Sequence, residues 1–320
     1  MCKFKTNNFL INVEVNQYLE SIIQNKLFAN GYIFYGAEGV GKKETALNFI
    51  KQIFKQYSSN ENVAEKINNK NHPDFLMIEP SSFIKSKKAK SVDSQKPIIN
   101  NMDIIKIEQI RNVKTFLNQK SIESEKKIVL IVDAHLMNEA ASNCLLKTLE
   151  EPSNGIFILL TSKFNLLLDT ITSRCQLIRF KSFSSKKLNY FLEKNLDPSK
   201  LDITKNLNFQ DLVNSANGSP GNLCKNIEIW KELSDEITSK LNFPLKDHLE
   251  ILKVCKLISE QLEIYQQICL INLIQQMWWR KTRNINLVKK LEKLKLHIKN
   301  HIQPRLAWEV TLLKIAIEDL

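Results

Sequence analysis

The chain of 320 residues is 43% hydrophobic and 25% charged, which gives it the composition of a globular protein with room for two or three domains. Its net charge of +12 raises nucleic acid as a partner, but the sequence holds 40 lysines against six arginines, is crowded with Asn and Ile, and has only seven glycines, so compositional bias supplies most of the excess. No stretch reaches the ~18 apolar residues of a membrane span, and the start "MCKFKTNNFLINVEVNQYLE" lacks the apolar block of a signal peptide, so no membrane partner and a cytoplasmic location are expected.

Residues 15–28 place Val15, Tyr18, Leu19, Ile22, Ile23 and Leu27 on one helical face, with Gly31 as a stop. Tyr32–Tyr35 reads as a short buried strand. The turn "GAEGVGKKE" (36–44) follows, and a helix opens near Lys42 with Ala46, Phe49, Ile50, Ile53, Phe54 and Tyr57 inward. Residues 58–71 are polar, either loop or a poorly packed helix. "DFLMIEP" (74–80) reads as a strand. Residues 81–101, with five lysines and five serines, read as a mobile basic insertion, with a basic arm on DNA as the alternative. Ile104–Leu117 is helical, with Ile107, Ile110, Val113, Lys114 and Leu117 at helix spacing.

"KKIVLIVDAHLM" (126–137) is a β-branched run ending in Asp133. "NEAASNCLLKTLEE" (138–151) is a helix with Asn138 as N-cap, and "IFILLT" (156–161) is another buried strand. "TITSRCQLIRF" (170–180) is a loop running into a strand. Apolar strands alternating with helices imply a mostly parallel sheet covered on both faces. After Phe183 the strands stop. Ser184–Ser185 reads as a linker or cap, and a small helical region runs to about residue 237, interrupted by "NGSPGN" (217–222). Long helices follow from about 245, with Pro304 opening the last. "YQQICLINLIQQMWW" (265–279) is apolar nearly all round. It suits either a helix buried in an assembly or an ordinary core, and Trp278 and Trp279 are interface anchors or core residues accordingly.

Gly36, Gly39, Gly41 and Lys42 fit the phosphate-loop pattern G-x-x-x-x-G-K between a strand and a helix. Glycines let backbone N–H groups face phosphate oxygens, the helix start adds positive potential, and the lysine reaches the outer phosphates. The next residue is Lys43, where a hydroxyl would ligate magnesium; an ammonium has no lone pair to offer and repels the cation. Asp133 ends a buried strand, where such proteins keep a metal-organising carboxylate. Ala134 follows, and a methyl group cannot orient water; His135 reads as a surface loop residue. Arg174 stands in "TSRC" (172–175) just before a strand. It is either paired to a nearby acid or carbonyl, or a finger reaching a neighbour's nucleotide. The six cysteines, at 2, 144, 175, 224, 255 and 269, show no CxxC spacing, so neither disulfides nor zinc are expected.

The stretches "FYGAEGVGKKETAL", "HPDF", "VDAHLMNEAASNCLLKTLEEP", "FILLTS", "TITSRCQLIRF", "GSPGN" and "QPRLAWE" resemble the clamp-loader branch of the AAA+ family, and within it the delta-prime subunits of bacterial DNA polymerase III. The resemblance implies an α/β RecA-like P-loop domain (1–183), a small helical lid (184–237) and an all-α collar used in oligomerisation (238–320). It implies Thr161 and Gly221 at sensor positions. Hydrolysing members carry Ser or Thr at the position of Lys43, Glu at that of Ala134 and Arg at that of Gly221. Three such losses beside an intact Ser173-Arg174-Cys175 imply a non-hydrolysing subunit. It would donate Arg174 to a neighbouring ATPase site during DNA replication, with Cys175 packing rather than reacting. The implied partners are the gamma/tau ATPase and delta subunits, the sliding clamp and primer-template DNA. No cofactor is required, and nucleotide binding is weak or absent. Many relatives hold zinc before "HPDF"; residues 58–71 contain no cysteine, so none is expected here. The alternatives are an active gamma/tau-type ATPase, or a basic DNA-binding module with a relic phosphate loop.

Overall fold

A computed structural model describes residues 12–57, 62–80, 104–150, 155–195, 209–241, 244–245, 247–300 and 302–318; the basic segment 81–101 lies outside them. Five apolar runs, too short for packed helices, become strands: β1 (Gly31–Gly36), β2 (Phe75–Ile78), β3 (Lys127–Ile131), β4 (Gly155–Thr161) and β5 (Gln176–Phe180). They form one parallel sheet in the order β2-β3-β4-β1-β5. Every residue of β3 and β4 is buried, as a central parallel strand requires, whereas β5, at the edge, is exposed at Gln176, Leu177 and Arg179.

The connecting helices are α1 (Val13–Asn25), α2 (Lys42–Tyr57), α3 (Val63–Asn68), α4 (Ile107–Asn118), α5 (Glu139–Glu150) and the single turn α6 (Asp169–Thr172). The two-residue period of the strands sends alternate side chains to opposite layers. Ile33, Val129, Ile131, Phe157 and Leu159 share a cluster with Ile110 and Val113 of α4 and with Ala141, Leu145 and Leu149 of α5. Tyr32 meets Phe49 of α2 edge to face at 5.6 Å. Each such fully buried aliphatic or aromatic side chain contributes about 1.5–3 kcal/mol.

Two helix boundaries and the packing of one helix differ from the sequence reading. Helix α1 stops at Asn25 because Lys26 turns left-handed, its N–H donating to Ile22 and Ile23 carbonyls. Tyr18 and Leu27 are therefore not on the inner face: Leu27 is past the helix, and Tyr18, on its rim, accepts a hydrogen bond from the Gln176 side chain. Helix α4 starts at Ile107, because Ile104 and Ile105 are extended and Ile105 bridges Met137. In the polar stretch, α3 is well packed, with Val63 and Ile67 buried.

Beneath α2 and α3 lies a buried polar cluster. The fully buried Asp74 carboxylate accepts from the N–H groups of Ile122, Glu123 and Ser124 and from the Ser124 hydroxyl. Burial alone would raise its pKa, but these hydrogen bonds hold it below the usual carboxylate range. His72 stacks on Phe54 at 4.2 Å, its Nδ1 accepts the Asp74 N–H at 3.2 Å, and its Nε2 is 3.7 Å from Glu123. Glu123 also takes the Lys66 ammonium at 2.6 Å. The cluster ties the segment before β2 to the segment before β3.

The chain divides into two compact units: Leu10–Ala37 with Gly41–Lys181, and Ser182–Leu320 with Glu38–Val40. The second is helical: α7 (Ser185–Asn195), α8 (Phe209–Ser215), α9 (Pro220–Glu232), α10 (Asp235–Lys240), α11 (His248–Gln261), α12 (Ile264–Thr282), α13 (Ile285–Lys299) and α14 (Pro304–Glu318). Its buried residues form one cluster from Leu188 to Ala316. Trp278 is core, its indole N–H bonded to the Leu241 carbonyl at 2.8 Å. Trp279, beside it, is 36% exposed with Arg283 over its ring.

Candidate functional site

Strand β1 delivers the phosphate loop, and the first glycine is forced by its neighbour on β5. A Cβ on Gly36 would lie 2.3 Å from the Phe180 carbonyl oxygen. Gly41, with φ of 90°, leads into α2. Lys42, the first residue of α2, is only 8% exposed. Its ammonium turns back into the loop and donates to the carbonyls of Gly36 at 2.7 Å and Ala37 at 2.6 Å. Lys43 leaves the loop and donates to Glu79, just past β2, at 2.8 Å; Lys70 reaches the other oxygen of Glu79 at 2.5 Å. Partial burial raises the Glu79 pKa, and two ammoniums on one carboxylate more than reverse that.

The position that would ligate a magnesium ion carries an ammonium committed to Glu79, so the residues present do not fit a magnesium–nucleotide complex. Among the described residues, no three His, Cys, Asp or Glu side chains stand together as a metal cluster.

The loop tip, Glu38–Val40, belongs to the helical unit. There the Gly39 carbonyl accepts the Gly221 N–H at 2.9 Å, and a Cβ on Gly221 would fall 2.8 Å from the Gly39 Cα. Glycine at position 221 follows from that backbone approach. Ser219 caps α9 through the Asn222 N–H, with Pro220 at the first helical position.

Beyond β3, Asp133 sits in the left-handed region (φ 50°, ψ 50°) and starts a turn over Ala134–Leu136. Ala134 is buried. Strand β4 ends at Thr161, level with this turn, because Ile131 pairs with Leu159. His135 is therefore not a surface loop residue: half-buried, its Nδ1 lies 3.3 Å from the Thr161 hydroxyl. That hydroxyl also accepts the Lys163 N–H at 3.1 Å. Thr161 and His135 are thus bonded to each other, a pairing that only strand register reveals.

Helix α6 carries the Ser-Arg-Cys turn on its last carbonyls. The Ser173 hydroxyl donates to the Thr170 carbonyl at 3.1 Å, and the Arg174 N–H to that of Ile171 at 3.2 Å. The Arg174 guanidinium donates through Nη1 to the Thr170 carbonyl at 2.9 Å. Its Nη2 pairs with the Glu150 carboxylate, at the end of α5, at 2.6 Å. It remains 39% exposed, and Glu150 is 54% exposed. Cys175 is buried against Gly31, whose Cβ would meet its sulfur at 2.6 Å, and burial pushes its thiol pKa up to about 11. It packs. Glu150 was the residue that motif reading missed; its signal is the acidic end of "LLKTLEE".

Residues 11–184, more than half of the chain, match the family described as DNA polymerase III, delta subunit. Residues 192–315 match the cyanobacterial DNA polymerase III delta prime, C-terminal domain. The DNA polymerase III subunit delta' of Bacillus subtilis is 28% identical over 200 residues, 60% of this chain and 55% of the relative. The DNA polymerase III subunit tau of the same organism is 28% identical over 196 residues, 59% of this chain and 31% of the relative. The chain spans about half the length, or less, of these curated relatives. A crystal structure of a DNA polymerase III gamma subunit-related protein from Thermotoga maritima covers 94% of this chain and 99% of its own at 19% identity and a TM-score of 0.53, a likeness of fold.

Proposed function

The chain belongs to the DNA polymerase III delta-subunit family, and from that premise we propose that it is a delta-prime-type clamp-loader subunit that completes a neighbour's ATP site and hydrolyses nothing itself. In this reading the α/β unit is a RecA-like domain. Residues 184–237 act as a lid and 238–320 as a collar for assembly. The partners are the gamma/tau ATPase and delta subunits, and the assembled complex loads the sliding clamp onto primer-template DNA in the cytoplasm. The chain needs neither nucleotide nor zinc.

The observation that carries the reading is the contrast between its cations. Lys42 is bonded to loop carbonyls and Lys43 to Glu79, so the receiving site has turned its positive charge inward. Arg174 stands in the turn between a short helix and an edge strand, held by one exposed carboxylate, the Thr170 carbonyl and, at a longer distance, the Ser173 hydroxyl, with donors to spare. A guanidinium in that position stabilises the charge that builds on a phosphoryl group in transfer. Thr170 and Ser173 shape the turn that presents it.

The tau match, equal in identity to the delta-prime match, favours a second reading as a motor subunit. Lys43 and Ala134 speak against it, because neither a metal ligand nor a water-orienting acid is present where a motor needs them. The test is Arg174→Ala in a loader reassembled from full-length subunits. Hydrolysis at the adjacent site is expected to fall by about 10³-fold or more, whereas an unchanged DNA- and clamp-stimulated rate removes the finger.

A further inference from the structure

We propose that Glu150 is the positioning residue for Arg174: it holds the guanidinium on its own chain and yields it to a phosphate presented by a neighbouring subunit. The inference rests on the finger reading above and adds a residue to it.

The geometry begins with α5 and α6, which pack against each other and bring the end of one beside the turn of the other. Glu150 Oε1 is 2.6 Å from Arg174 Nη2, and the Thr170 carbonyl takes Nη1 at 2.9 Å. These contacts, with a longer one from Nη1 to the Ser173 hydroxyl at 3.4 Å, fix the fork and leave its remaining N–H groups for a further acceptor. Carboxylates and phosphates are the two anions that a guanidinium fork fits best. Glu150 therefore occupies the kind of contact that an incoming phosphate would make. The Thr170 carbonyl is neutral, does not compete for charge, and stays as the pivot.

Burial decides whether such a hold is reversible. With Glu150 54% exposed and Arg174 39% exposed, the pair is solvated, and pairs of this kind shift an equilibrium by about fivefold at most. That is enough to keep the side chain from wandering and too little to resist a phosphate in an interface that excludes water. The carboxylate also offsets the positive charge, so the finger is muted until the neighbour displaces it.

The test uses the loader reassembled from full-length subunits, with ATP hydrolysis measured at subsaturating ATP without clamp or DNA. Glu150→Gln keeps the shape of a half-exposed side chain and removes its charge. The expected result is a rate about two- to fivefold higher than the unmodified loader, with the gain abolished in the Arg174→Ala background, where Glu150 has nothing to hold. A residue that merely braces the end of α5 gives no gain in rate. An unchanged or lower rate for Glu150→Gln, while Arg174→Ala still slows hydrolysis, overturns the hold and leaves the finger standing. Arg174→Ala without effect overturns the finger and the hold together.

Discussion

The phosphate loop and the Ser-Arg-Cys turn both set cations beside strands of one parallel sheet, and they bind those cations differently. In the loop, the buried ammonium of Lys42 is fixed by two backbone carbonyls of its own turn, and Lys43 shares Glu79 with Lys70. In the turn, Arg174 has one exposed carboxylate, one carbonyl and a longer contact to the Ser173 hydroxyl. A lysine bonded to the carbonyls of its own loop is part of the scaffold, because moving it strands both partners. An arginine on an exposed acid exchanges partners cheaply. Residues that look equally cationic in sequence thus separate, by what they touch, into fixed pairs and an exchangeable one.

This contrast can be broken first at Gly36. Gly36→Ala forces the new Cβ against the Phe180 carbonyl oxygen at a backbone angle that side chains rarely adopt. The expected loss is about 2–4 kcal/mol in urea unfolding; a loss below 1 kcal/mol shows that the loop is not held by β5. The next largest effect is at Lys42. Lys42→Met removes both loop hydrogen bonds and should cost about 1–2 kcal/mol, while the reassembled loader hydrolyses ATP within about twofold of its normal rate. A collapse of loader turnover instead marks Lys42 as a phosphate ligand.

The smallest effect concerns pH. Burial lowers the His72 pKa more than the nearby Glu123 and Asp74 charges restore it, so the folded protein keeps this histidine neutral. The unfolded chain takes up the proton near pH 6.5 and the folded one only lower. This contribution to stability is therefore complete above about pH 6.5 and is lost as pH falls through the interval below it, at no more than about 1.4 kcal/mol per pH unit. Unfolding midpoints followed from pH 7 to pH 5.5 should drop, and His72→Asn should flatten the slope. An identical slope in the variant assigns the pH response to other groups.

Much of the fold was legible because burial leaves a periodic trace. Continuous apolar runs marked the strands, and Ala46, Phe49, Ile50, Ile53 and Phe54 marked the inner face of α2. The cap at Asn138 was readable because its side chain serves a nearby N–H, that of Ala141 at 2.8 Å. What stayed hidden depends on residues far apart in the chain. Lys43 finds Glu79 only through the sheet order, Arg174 finds Glu150 only where α5 meets α6, and Asp74 gathers N–H groups nearly fifty residues away. Tyr18 misled because helical spacing defines a face and not its depth. Gly221 looked like a missing arginine; the approach of Gly39 supplies the reason for a residue without a side chain.

In the proposed role, this chain offers positive charge to another active site and hydrolyses nothing itself. The direct measurement is phosphate release by the purified chain with magnesium and ATP, beside a Lys42→Ala control prepared identically. Two indistinguishable traces at background are the predicted result. Steady release by the unmodified chain that disappears in the control would contradict it.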